Sequence, residues 1–143
     1  MANGRRVGAI VGSLIGALVF GAMPVQAQFG VGLEGSRWAI VEVFGEPLPQ
    51  DESPYIAFEA EGRLAGRTAC NWFHGSYSVE ADAIVILTRL TTLRGCVIAN
   101  KRRADATFEA LDSSARFDIA GSVLTLSDDG GAPVAKLERR SDE

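Results

Sequence analysis

Cys70 and Cys96 are the only two cysteines of the chain. Both lie in a stretch, Gly66 to Cys96, that is dense in aromatic, β-branched and turn residues. Joined, they close a loop of about 27 residues, which in a chain-entropy treatment stabilises the fold by roughly 3 to 4 kcal/mol. For a small domain that is a large share of the net stability. A redox or metal pair is the other role open to two cysteines. No CxxC spacing is present, and one histidine with two distant cysteines falls short of a four-ligand zinc site. The expectation is a structural bridge, with no metal and no cofactor.

A bridge needs an oxidising compartment, and the N-terminus points to one. Met1 to Ala27 opens with Arg5 and Arg6, continues in the apolar run Val7 to Phe20, breaks at Pro24 and ends Val25-Gln26-Ala27. These are the charged, apolar and small-residue cleavage regions of a secretory signal peptide. The competing reading is an uncleaved membrane anchor, because Gly8, Gly12 and Gly16 repeat the small-xxx-small spacing of packed transmembrane helices. The run from Val7 to Met23 is only about 17 residues, the short limit for a span. Residues 1–27 are therefore expected to be a signal peptide, the location periplasmic or secreted, and the membrane a partner only if the segment is kept. No cysteine follows the cleavage site, so a lipid-anchored N-terminus is not expected.

Removing Arg5 and Arg6 takes the formal charge from −4 to −6, since no acidic residue precedes Glu34. That balance excludes nucleic acid as the expected partner, which clustered positive charge would recruit. Lys101, Arg102 and Arg103 form the sole basic run and read as one solvated helix turn.

Residues 28–36, with Gly30, Gly32 and Gly35, read as a mobile lead-in. Arg37 to Phe44 has the Trp, Ile, Val and Phe of a first strand. Gly45 to Pro54 collects three prolines and is a loop. Tyr55 to Ala60 alternates, placing Ile56, Phe58 and Ala60 on one face, and Glu61-Gly62 turns the chain. Gly66 to Phe73 and Ser76 to Val79 follow as strands about His74-Gly75, where Gly75 supplies a positive φ or a bulge. Ala83 to Leu87 is apolar throughout and so expected to be buried on both sides. Asn100 to Leu111 switches to helical spacing, with Ala104, Phe108 and Leu111 inward and Asn100 as N-cap. Arg116 to Ala120, Val123 to Leu126 and Pro133 to Leu137 form a closing meander, with Asp129-Gly130 as a hairpin signal.

About eight short antiparallel strands would leave open edges unless the sheet closes. The fold class expected is mainly β: a small antiparallel, lipocalin-like barrel or strongly curled sheet with one amphipathic helix. The domain is expected over residues 37–139 with a frayed tail at 140–143.

At these residues the sequence resembles the META domain family, which includes HslJ-like exported bacterial proteins. Trp38 matches the family's opening Trp, and Phe58, Gly62 and Gly66 match its Phe-x-x-x-Gly-x-x-x-Gly. Cys70, Asn71, Phe73, Gly75 and Tyr77 match the Gly-Cys-Asn-x-Phe-x-Gly-x-Tyr centre, Thr92 and Cys96 the Thr-x-Met-x-Cys element, and Phe108 and Leu111 the Phe-x-x-Leu helix. The chain departs at Ala69, where Gly is usual, and at Leu93-Arg94-Gly95 before Cys96, where Met-Ala is more usual. The resemblance implies a lipocalin-like barrel and an envelope or secreted location, and assigns no catalytic residues.

Nucleophilic catalysis needs a base and an orienting group, yet the chain has one histidine, His74. Ser76 shares its strand face, but no carboxylate is placed to hold the imidazole. Asp128-Asp129-Gly130-Gly131 lacks the alternating ligands of a calcium loop and reads as a turn. Asp51 and Glu52 sit in a Pro-rich loop as solvated carboxylates. Asn71 is expected to fix a turn or to project into a recognition surface. Trp72 and Phe73 should face opposite sides, an exposed one beside Tyr77 making a protein contact. These readings converge on a monomeric, exported, non-enzymatic binding or structural module for envelope stress tolerance. Its alternatives are a barrel holding a small apolar ligand in a cavity lined by Trp38, Phe58 and Ile86, or an inhibitor of an envelope hydrolase.

Overall fold

A computed structural model describes residue 21, residues 32–90 and residues 95–141. Apart from residue 21, the expected signal peptide lies outside the described residues, as do residues 28–31 of the lead-in, Thr92 and residues 142–143 of the tail. In chain order the elements are β1 (Ser36–Val43), β2 (Glu46–Pro47), β3 (Tyr55–Phe58), β4 (Arg63–Arg67), β5 (Trp72–Glu80), β6 (Ala83–Leu90), α1 (Ile98–Asp112), β7 (Arg116–Ala120), β8 (Val123–Ser127) and β9 (Pro133–Arg140). A short 3-10 turn, Ala60–Gly62, joins β3 to β4.

All pairings are antiparallel and run β1-β3-β4-β5-β6-β7-β8-β9, and β9 pairs back onto β1. The result is a closed eight-stranded barrel, with β2 as an extra short strand on β1. Period-two alternation sets its inside. Trp38 and Ile40 of β1, Ile56 and Phe58 of β3, Phe73 of β5, and Leu124 and Leu126 of β8 are buried in one cluster. Helix α1 adds Leu111 and Ala110 to that cluster, and its Phe108 meets Phe73 edge to face at 5.4 Å. At this strand number side chains about fill the interior.

Several local expectations are corrected. Leu33 is not part of a mobile lead-in but is fully buried. The Ser36 hydroxyl donates to its carbonyl, Trp38 Nε1 donates to Ser36 Oγ at 2.7 Å, and Gly35 N donates to the Phe58 carbonyl at 2.7 Å. With three glycines among nine residues, the 28–36 segment reads by composition as a lead-in, and only its packing partners show that Leu33 is core. At the other end Arg140 is not in a frayed tail but ends β9, paired with Arg37.

Ala60 is exposed, because β3 stops at Phe58 and the chain turns through Glu61 and Gly62 at φ 60° and 68°. The span from Gly66 to Phe73 is not one strand: β4 ends at Arg67, and Thr68 to Asn71 is a loop. Nor does Gly75 break a strand. It lies within β5, between Leu64 and Thr88, where an added Cβ would run into the Leu87 carbonyl. Glycine is there for close approach of two backbones rather than for a turn.

Strand β6 is not buried on both sides. Ile84 and Ile86 point inward, whereas Val85 and Leu87 are 55% and 58% exposed, because nothing covers the barrel's outside there. Asn100 is not the N-cap. The helix begins at Ile98, its cap position is Val97 with no side-chain cap bond, and Asn100 Oδ1 instead accepts from Arg103 at 3.2 Å.

Candidate functional site

The β4–β5 loop is built by a threonine. Thr68 is buried, and its Oγ1 accepts from the backbone N–H of Cys70 at 3.1 Å and of Asn71 at 2.9 Å. Thr68 N in turn donates to the Asn71 carbonyl at 2.8 Å. Side-chain oxygens of this kind replace ladder bonds in a tight turn. The turn aims Cys70 at Cys96, to which it is disulfide-bonded, with the Cα atoms 5.9 Å apart. Cys96 lies two residues before α1, so the bridge ties the helix start to the β4–β5 loop.

Past the turn the strand alternates as expected: Phe73 enters the core and Trp72 stays 43% exposed. Trp72 does not sit beside Tyr77, which faces the other way and packs on the core. Its neighbour is Tyr55 of β3, ring edge to ring face at 6.4 Å. Together with Glu52, Arg67, Asn71, Asn100 and the disulfide, Trp72 lines an open groove of about 250 Å³. Glu52 meets Arg67 at 3.7 Å, a half-exposed ion pair rather than half of a general acid/base couple.

Arginines cover these aromatic rings. The Arg67 guanidinium carbon lies 5.4 Å from the Trp72 ring centre, and those of Arg37 and Arg140 lie 4.5 and 5.9 Å from that of Tyr55. Five strands, from β1 to β9, supply these groups, so no local motif announces the cluster.

Tyr77 closes the other flank of β5. Its hydroxyl donates to the Glu59 carbonyl at 2.9 Å, and its ring meets Phe58 edge to face at 4.9 Å. Burial, with Glu34 adding a like-signed field, raises its pKa above the ordinary value.

The other singled-out residues are not drawn together. His74 and Ser76 are exposed on the outer face of β5. Their cross-strand neighbours are Ala65, Arg89, Arg63 and Leu87, none of which is a carboxylate. Asp128 accepts from the Ala132 N–H through Oδ1 at 2.9 Å, so the acidic run makes the β8–β9 turn. Among the described residues no group of three or more His, Cys, Asp or Glu is placed to hold a metal ion. Lys101, Arg102 and Arg103 are exposed on α1. The last two rim a second groove of about 400 Å³, floored by Val43, Leu48 and Ala106.

The residues at fixed spacing thus do one kind of work: Trp38, Phe73 and Tyr77 pack, Gly75 admits a neighbouring backbone, and Cys70 and Cys96 staple. The model of the META domain matches residues 31–141. The chain belongs to the META domain family. The match spans every strand and the helix just described. Among solved structures, a DUF4847 family protein from Bacteroides vulgatus is similar with a TM-score of 0.59 at 15% identity, over 80% of this chain and 99% of that one. A Burkholderia xenovorans protein solved by NMR is similar with a TM-score of 0.62 at 15% identity, over 77% and 85% of the two chains. At these identities the likeness is one of fold. No curated protein matches the chain.

Proposed function

We propose that this META domain protein is an exported, non-enzymatic module with a binding or structural role in envelope stress tolerance. The observation that carries the reading is the Cys70–Cys96 bridge, since a disulfide persists in oxidising compartments and is lost in reducing ones. The signal-like character of residues 1–27 supports the same location. A non-enzymatic role is supported by the sole histidine standing on an exposed strand face with no carboxylate across from it.

Binding is assigned to the outside of the barrel. Trp38, Phe58 and Ile86, which would line an internal ligand cavity, are fully buried members of one packed cluster, and neither groove described above reaches them.

Thiol trapping in separated cell fractions tests the proposal. The protein is expected in the periplasm or medium, without the leader and with both thiols blocked as a disulfide. Recovery from the cytosol with two free thiols would overturn it.

A further inference from the structure

The strand registers place a row of outward side chains straight across six strands. Arg140 of β9 pairs with Arg37 of β1, Arg37 with Ala57 of β3, Ala57 with Ala65 of β4, Ala65 with His74 of β5, and His74 with Arg89 of β6. Two alanines thus form a low floor, and cationic or imidazole side chains stand on both sides of it. Residues two places along each strand, about 7 Å away, make the walls. One wall is Tyr55, Arg67 and Trp72; the other is Glu59, Arg63, Ser76 and Leu87. The row holds no carboxylate. The acidic groups nearest it are Glu59, whose N–H donates to the Arg63 carbonyl at 2.7 Å, Glu52, paired with Arg67, and Glu138, opposite Ala39.

Five arginines therefore share one trough on a chain whose formal charge is −4. Charge complementarity calls for an anionic occupant, and the geometry narrows its class. The trough runs over a convex barrel, so it suits a line of charges better than a flat bilayer. Between Arg37 and His74 it crosses strands β1, β3, β4 and β5, each paired on both sides, so over that length it offers an extended peptide no backbone ladder to join. Arginines cover Tyr55 and Trp72, which serve as supports rather than as platforms for bases. Stacking leaves a guanidinium's N–H edge to meet a planar carboxylate, while Ser76 and His74 suit hydroxyls.

We infer that this trough binds a linear carboxylated polysaccharide, one uronate-type sugar after another along the row. The inference deepens the reading of an exported binding module. Because binding is measured on purified protein, its failure is distinguishable from a failure of export.

The test is equilibrium binding of the purified protein to an oligogalacturonate. Neutral dextran, poly-glutamate of matched charge and vesicles rich in phosphatidylglycerol serve as comparators. Oligogalacturonate is expected to bind most tightly, with affinity falling steeply as salt rises. The exposed pair change Arg37→Gln with Arg89→Gln should weaken binding at least about tenfold, each charge-assisted hydrogen bond being worth about that much. Arg102→Gln on α1 should leave it unchanged, and both variants should melt as the parent does. Equal affinity for dextran, tighter binding to poly-glutamate or vesicles, or equal loss in Arg102→Gln would overturn the inference. Should the double variant melt early, Ala57→Glu, which puts a carboxylate on the floor, must weaken binding instead; unchanged affinity there overturns it equally.

Discussion

The wall made by β1, β3, β4 and β5 and the seam between β6 and β7 close the same barrel by different means. In the wall, consecutive strands pair along their length, from Ser36 with Phe58 through Phe58 with Leu64 to Leu64 with Gly75. At the seam, β6 and β7 share a single register pair, Ala83 with Arg116, flanked by Ile84 N to the Ala115 carbonyl at 3.0 Å. Helix α1 completes the seam. Asp112 Oδ1 accepts from Thr88 N at 3.0 Å and from Thr88 Oγ1 at 2.9 Å, and Leu111 and Ala110 fill the gap below. The far end of that helix is held by the disulfide. A backbone ladder spreads its stability over many bonds, whereas the seam concentrates its own in a few side chains and one covalent link.

The wall should break hardest at its closest approach. Gly75→Ala places a Cβ against the Leu87 carbonyl and is expected to destabilise by on the order of 4 kcal/mol or more. Circular dichroism should show an unfolded or insoluble protein, and a cooperative melt near the parent temperature would refute the packing argument. The seam should break next. Cys70→Ser or Cys96→Ser should lower unfolding stability by about 3 to 4 kcal/mol in denaturant titrations, an effect that dithiothreitol reproduces in the parent. Hydrogen exchange should then quicken in α1 and β6 before β3 and β4; uniform quickening would erase the distinction between the two regions.

Smaller changes sharpen the same contrast. Asp112→Ala removes the acceptor of both Thr88 donors and should reduce stability by about 1 kcal/mol, read as faster exchange confined to the β6 edge. Tyr77→Phe should also lose about 1 kcal/mol with its bond to the Glu59 carbonyl. The raised Tyr77 pKa adds a sign: the phenol ionises more readily in the unfolded chain, so parent stability should fall as pH rises past about 10. The Phe variant should show a flatter alkaline limb, and identical limbs would remove Tyr77 from the account. Leu87→Thr, on the uncovered face of β6, should change stability by no more than about 0.5 kcal/mol. A larger loss would mean that the face is covered.

What was legible followed from local periodicity. The alternation in Tyr55 to Phe58 and Val123 to Leu126 identified inward faces. The helical spacing of Ala104, Phe108 and Leu111 identified α1, although buried Thr107 and Ala110 on the same face were missed. Trp72 and Phe73 were correctly split between the two sides. What was not legible depends on partners. Apolar Ala83 to Leu87 reads the same whether one side or both are covered, and only the bare outside of β6 decides. The site was less legible still, because Arg37, Tyr55, Arg67, Trp72 and Arg140 meet only through register.

By itself, the order of residues determined a stapled, mainly β domain with one helix, because turn residues, two-residue alternation and two cysteines act over short stretches or are chemically unmistakable. The tertiary structure alone decided that β9 meets β1, that Gly75 yields room to a neighbouring backbone, and that five dispersed arginines line one trough. Those outcomes depend on which strands lie side by side, and strand pairing is a long-range choice that no window of sequence contains.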